Sequence, residues 1–142
     1  LLFSRQYKDI SFDLKKGDLE LVEVDSNKIQ QVINNLLLNA IDACHQAEKA
    51  EIKFETKAKT IDSVKCCEIM LSDNGQGFDE EIIKNAFEPY QTSKESGKGL
   101  GLAIVKSIID EHKGEISINN NNVGASIKIT LPTKQNKFLE ST

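Results

Sequence analysis

No run of eighteen apolar residues occurs in this 142-residue chain, so no segment is long enough to cross a bilayer as a helix. Positive charge is also scarce: 18 lysines and arginines stand against 22 acidic residues, a net charge of −4. A nucleic-acid surface would be basic, and so would a patch drawn to an anionic membrane, so neither partner is expected. Leu1-Leu2-Phe3 is too short for a signal peptide and carries no basic leader. Cysteines are few. Cys66 and Cys67 are adjacent in an apolar run, point to opposite faces of a strand and do not make a zinc pair, and Cys44 stands far off. Reduced thiols in a cytoplasmic protein are therefore expected instead of disulfides. There are no internal repeats and no linker that divides the chain. Its length is that of one domain, and folding at that size buries roughly two-thirds of the unfolded surface, enough for a core without staples.

What the chain does have is clustered glycine. Five of its eight glycines fall between residues 75 and 101, in Asp73-Asn74-Gly75-Gln76-Gly77 and in Gly97-Lys98-Gly99-Leu100-Gly101-Leu102. Glycine serves where backbone must turn sharply or approach a ligand closely. The second cluster runs into a helical pattern of Leu102, Ile104, Val105, Ile108 and Ile109. A helix opening at such a loop offers free N–H groups and a positive dipole end, which suit phosphate.

Around these clusters the elements follow in order. Ile10 to Leu14 and Leu19 to Val24 alternate and read as two opening strands, with Lys15-Lys16-Gly17-Asp18 as the turn between them. Asp25-Ser26 caps a long helix whose stripe is Ile29, Val32, Ile33, Leu36, Leu37, Ala40 and Cys44. Asn35 and Asn39 stand beside that stripe, one turn apart. They are either amides satisfied by nearby backbone or carbonyls offered to a hard cation such as Mg²⁺, and the helix by itself favours the first. Strands are expected over residues 51–60 and 65–72, and Asp73 closes the second of them, where ligands collect in α/β architectures. Asp79 is expected to cap a short helix over residues 80–86 that Pro89 ends. Residues 88–98 are polar enough for a lid, with Lys94 and Lys98 placing positive charge near a polyphosphate. A helix from Leu100 to His112 closes at Gly114, and residues 115–119 and 125–131 form a last hairpin across the turn 120–124.

Two familiar phosphate motifs fail. A Walker loop, Gly-x-x-x-x-Gly-Lys-Ser/Thr, would put glycine at Thr92 and a hydroxyl at Gly99, and a dinucleotide fingerprint would put glycine at Glu80. Four segments in order instead resemble the boxes of sensor histidine kinases. Asn35-Leu36-Leu37-Leu38-Asn39-Ala40 resembles the N box, and Asp73 to Gly77 the first glycine box. Phe87-Glu88-Pro89-Tyr90 resembles the F box, and Gly97 to Val105 the second glycine box. The wording of Asn39-Ala40-Ile41-Asp42-Ala43 and of Phe87 to Tyr90 is similar to the nitrogen-regulation sensor kinases.

The resemblance implies the fold shared by histidine kinases, gyrase, the large heat-shock chaperones and mismatch-repair ATPases. That fold is an α/β (α+β) two-layer sandwich: a mixed, mostly antiparallel sheet packed on about three helices, with an ATP lid. It implies a catalytic domain over residues 9–133, the end of a dimerisation and phosphoacceptor hairpin in 1–8 and a tail in 134–142. ATP and Mg²⁺ are the expected ligands. Asn39 would hold Mg²⁺ through its side-chain oxygen, and Asn35 would support it or contact phosphate. Asp73 would accept the adenine amino proton, with Gly75 and Gly77 letting the chain pass close to the base. Gly99, Leu100, Gly101 and Leu102 would cradle phosphates through backbone N–H groups. Ser126 stands near a hydroxyl that reaches adenine through water, and Lys94, with Thr92 and Lys98 as further candidates, would touch phosphate from the lid.

The chain also departs from family patterns. The ATPase branch has a glutamate base at the position of Asn35, and an amide cannot activate water, which favours a kinase. Asp42 stands where many members have a phosphate-contacting lysine. Neither His45 nor His112 sits in a phosphoacceptor motif; His112 reads as a helix-end cap. The expectation is thus an excised kinase domain, mainly monomeric, that phosphorylates a histidine on a separate domain of its parent protein. That parent, which is possible as a membrane-anchored protein, would pass the phosphate to a response regulator. The alternatives are a stand-alone serine kinase of the anti-sigma type and a degenerate nucleotide-binding module.

Overall fold

The computed structural model describes residues 10–15, 17, 22–44, 47–88, 98–121 and 123–134, with backbone alone at 15 and over 98–101. β1 (Ile10–Lys15) lies parallel to β2 (Ala50–Ile61), Ile10 opposite Ala50 and Lys15 opposite Glu55. Parallel neighbours need a crossover, and α1 (Ser26–Ala43) supplies it. β3 (Val64–Asp73) returns antiparallel to β2 across Asp62-Ser63, both left-handed at φ 50° and 68°, a two-residue hairpin turn made without glycine. The short α2 (Glu80–Asn85) and then α3 (Lys98–Glu111) follow, before the hairpin of β4 (Glu115–Asn120) and β5 (Ala125–Pro132). β5 pairs with both β4 and β3, so the sheet order is β1-β2-β3-β5-β4, antiparallel except for the first pair.

One face of the sheet carries the helices. Cys67, Ile69 and Leu71 alternate along β3, and Ile127, Ile129 and Leu131 along β5, all buried against Val32, Leu36, Leu37 and Ala40 of α1 and Leu102, Val105, Ile108 and Ile109 of α3. Val105 and Ile109 have no exposed surface, and burying a side chain of that size is worth about 1.5–3 kcal/mol. The expected two-layer sandwich with a mixed, mostly antiparallel sheet is therefore what forms. Cys44, Cys66 and Cys67 are free and buried. Among the described residues, no helix is long and apolar enough to cross a membrane.

Several local expectations are corrected. Alternation identifies strands but not their partners: among the described residues β1 pairs with β2, and Val22–Val24, the described part of the expected second run, is not in a strand. Asp25 does cap α1, accepting from the Lys28 amide at 3.2 Å, whereas Asp79 precedes α2 without a side-chain capping bond. α3 begins at Lys98, two residues early, so the second glycine box is its first turn. At its other end the left-handed residue is Lys113, with φ 59°, and not Gly114. Gly114 donates to the Ile109 carbonyl and Lys113 to that of Asp110, a Schellman ending. Gly114 is needed for room: a Cβ there would lie 2.6 Å from the Thr130 carbonyl oxygen.

Candidate functional site

The two core helices meet end to end in opposite senses. Lys28, in the first turn of α1, pairs with Glu111, in the last turn of α3, at 2.7 Å. Beside them the buried His112 accepts a hydrogen bond from the Asp25 amide at Nε2, 3.0 Å away, while its Nδ1 lies 2.8 Å from the Ile108 carbonyl. Nε2 can accept only if it carries no proton, so this pairing assigns the proton to Nδ1. His112 thus caps its own helix, as expected, and also ties it to the start of α1.

Antiparallel helices with equal rise keep their residues level. Asn39 lies as many residues along α1 from Lys28 as Leu100 lies back along α3 from Glu111, about 16 Å in each case. The N-box amide and the opening turn of α3 therefore share one end of the helix pair. Gly99, Leu100 and Gly101 lie in that opening turn, where the first N–H groups of a helix have no partners within it, whereas Leu102 stands just beyond the turn, its amide in reach of the Lys98 carbonyl and its side chain in the core. Asn35 and Asn39 are half-buried, and neither amide has a hydrogen-bond partner among the described residues, so the reading in which backbone satisfies them finds no bond. Asp42 is exposed.

β3 delivers Asp73 to the same neighbourhood. Its carboxyl accepts from the Gly75 amide at 2.8 Å and from the backbone of Ala125. Burial pushes its pKa up, and those hydrogen bonds only partly offset it. The loop after Asp73 is gripped from two further sides. Gln76 donates to the carbonyl of Ala43 at the end of α1, and Gly75 packs so closely there that a Cβ would lie 2.3 Å from that oxygen. Gly77 adopts φ 77°, a conformation that favours glycine. Asn74 accepts from the Glu51 amide at 2.8 Å and donates to the Lys49 carbonyl at 2.7 Å, fastening the loop to the start of β2. The sequence did not single out this role of Asn74, because its partners lie more than twenty positions away and leave no local signal.

Ser126 does not join this group. It pairs with Ser72, while β5 buries Ala125 and Ile127 on either side of it, so the two-residue period puts its side chain on the face opposite Asp73. Lys94, Thr92, Pro89 and Tyr90 lie outside the described residues, as do His45 and the Lys98 side chain. Among the described residues no three His, Cys, Asp or Glu side chains converge to hold a metal. A hard cation here would draw most of its oxygens from bound phosphates, with one from an amide such as that of Asn39.

Known proteins share this arrangement. Residues 24–135 match the family described as histidine kinase-, DNA gyrase B- and HSP90-like ATPases. The sensor protein FixL of Bradyrhizobium diazoefficiens is 36% identical over 89% of this chain and 25% of its own length. An NtrY-like sensor histidine kinase of Rickettsia bellii is 39% identical over 72% of this chain and 16% of its own. The chain thus spans a quarter or less of these curated relatives. Among solved structures, the nucleotide-free catalytic domain of histidine kinase ThkA superposes with a TM-score of 0.78 at 31% identity, covering 95% of this chain and 88% of that one. The mycobacterial sensor histidine kinase MprB superposes with 0.72 at 25% identity, over 94% of this chain and 90% of its own. The match runs nearly end to end: this chain belongs to the histidine kinase-, DNA gyrase B- and HSP90-like ATPase family, and within it to the histidine kinase catalytic domains.

Proposed function

We propose that this domain binds Mg²⁺-ATP and delivers the γ-phosphoryl group to a histidine on a separate dimerisation domain of its parent protein, for onward transfer to a response regulator. The observation that carries the reading is the pairing of the start of α1 with the end of α3 through Lys28–Glu111 and Asp25–His112, which by the equal rise of the two helices would bring the Asn39 amide oxygen and the free N–H groups of the opening turn of α3 to the same phosphates. Asp73, fixed at the end of β3, would accept the adenine amino proton and so select ATP over GTP. Asn39 would be the protein ligand of Mg²⁺, with Asn35 supporting it, and the ion when bound would supply neutralisation of phosphate charge. Lys94 would add charge from the lid, and Lys98 from the start of α3.

Phosphoryl transfer asks a protein chiefly for positioning and charge neutralisation. The imidazole nitrogen of the acceptor histidine attacks the γ-phosphorus, the bond to the bridging oxygen breaks, and ADP leaves with that electron pair. Asn35 offers no base for water, which preserves the phosphoryl group for the histidine. Transfer from ATP to the acceptor domain supplied in trans tests the reading. Asn39→Ala is expected to abolish Mg²⁺-dependent transfer while leaving the fold intact by circular dichroism. Transfer at the unaltered rate would remove Asn39 from the site.

A further inference from the structure

The Asn120–Gly124 turn, to the sequence merely a hairpin connection, touches the Asp73–Phe78 loop at both ends. At one end the Asn120 side chain grips the Phe78 backbone twice: Oδ1 accepts from the Phe78 amide at 2.8 Å, and Nδ2 donates to the Phe78 carbonyl at 2.7 Å. A single amide thereby does for Phe78 what a neighbouring strand would do, satisfying its donor and acceptor together. At the other end the buried Gly124 lies so near Asp73 that a Cβ would meet the Asp73 carbonyl oxygen at 2.2 Å and the Gly75 nitrogen at 2.9 Å. Between them a Cβ on Gly77 would lie 3.0 Å from Asn120 Oδ1, so this glycine makes room for the clamp as well as for its own turn.

The turn is braced from within. Asn121 Oδ1 accepts from the amides of Val123 and Gly124 at 2.9 and 2.7 Å, and the Asn121 amide donates to the Gly124 carbonyl at 2.8 Å. β4 and β5 root it in the sheet. A rigid turn thus holds both ends of the loop that carries Asp73, while α1 and β2 hold the middle through Gln76 and Asn74.

We propose that Asn120 is a positioning residue for the adenine side of the nucleotide site, fixing the loop backbone through Phe78 so that Asp73 and Gly75 meet the base in one geometry. This rests on the nucleotide-binding reading above. Asn120 acts through the loop that carries Asp73 and not on the phosphates, which the opening turn of α3 would hold. Its removal should therefore cost affinity for the preferred base more than for another base on the same triphosphate.

The test compares Asn120→Ala and Asn120→Asp with the unaltered domain, measuring ATP and GTP binding by competition, the unfolding midpoint in urea, and exchange of the Phe78 amide. Two hydrogen bonds lost from one loop predict about tenfold weaker ATP binding for Asn120→Ala, with GTP binding nearly unchanged. The urea midpoint should hold and Phe78 protection should fall. Asn120→Asp keeps the acceptor for the Phe78 amide but loses the donor, so it should retain protection there and lose less ATP affinity. Unchanged ATP binding in Asn120→Ala would overturn the inference. Equal losses for ATP and GTP with a lowered midpoint would also overturn it, by showing a general structural role. Failure of the unaltered domain to bind ATP, with Phe78 still protected by Asn120, would instead sink the nucleotide reading and this inference with it.

Discussion

Asp73 shows what one residue gains and loses by its position. A carboxylate at a strand end can face an adenine amino group only if it leaves bulk water, and burial then raises its pKa. Protonation removes the acceptor from one oxygen. ATP binding is therefore expected to weaken on acidification at a higher pH than an ordinary carboxylate near 4 would give, and to recover as pH rises through the raised value. Titration of ATP affinity against pH checks this, with Asp73→Asn as control. The variant should bind ATP weakly and lose the acid dependence. An unaltered profile in the variant would assign the titration to another group.

Among elements, the α1–α3 pair matters most to the proposed site, because its alignment would set Asn39 toward the opening turn of α3. That alignment is held at the far end by Lys28 and Glu111, whose exposure leaves their ion pair screened by water, and by buried His112. His112→Ala leaves the Asp25 amide and the Ile108 carbonyl without this partner and should cost about 1–3 kcal/mol in urea denaturation. His112→Gln can still present an acceptor toward Asp25 and should recover part of that loss. Equal destabilisation in both variants would mean that ring packing, not the hydrogen bond, holds the helices. The apolar stripe of α1 and the Asp25 cap were legible in the sequence because they repeat at local spacings. The capping role of His112 was legible too, but its tie to α1 was not, since its partner at Asp25 is 87 residues away. The same reason hid the clamps of Asn74 and Asn120. The parallel pairing of β1 was hidden differently, because a two-residue period states which face is apolar and nothing about which strand lies alongside.

For the whole molecule, the sheet has a second face whose centre is ionic. Glu68 is 4% exposed and held by Lys59 at 3.1 Å and Lys57 at 3.4 Å. Burial pushes its carboxyl up, but the hydrogen bonds and charges of the two lysines outweigh this and hold its pKa below the usual range. A depressed carboxyl contributes stability that is present above its unfolded value and lost as pH falls through the folded one. Asp73, raised instead, contributes below its unfolded value and loses that contribution as pH rises. Glu68→Gln is therefore expected to flatten the acid limb of a stability–pH profile below about pH 4.5, by under about 1 kcal/mol because both lysines are open to solvent. An unchanged acid limb would show the cluster to be fully screened. The order of the boxes made the family legible at this scale, since four segments with fixed spacing constrain a fold far more than any one of them.

The most direct measurement is a calorimetric titration of the domain with ATP and with GTP, each with and without Mg²⁺. Saturable ATP binding that strengthens with Mg²⁺ and exceeds that of GTP is the predicted result, with the Mg²⁺ effect lost in Asn39→Ala and the base preference lost in Asp73→Asn. No binding, or equal binding of both nucleotides, would leave the fold and the family standing and contradict the nucleotide site built from Asn39, Asp73 and the opening turn of α3.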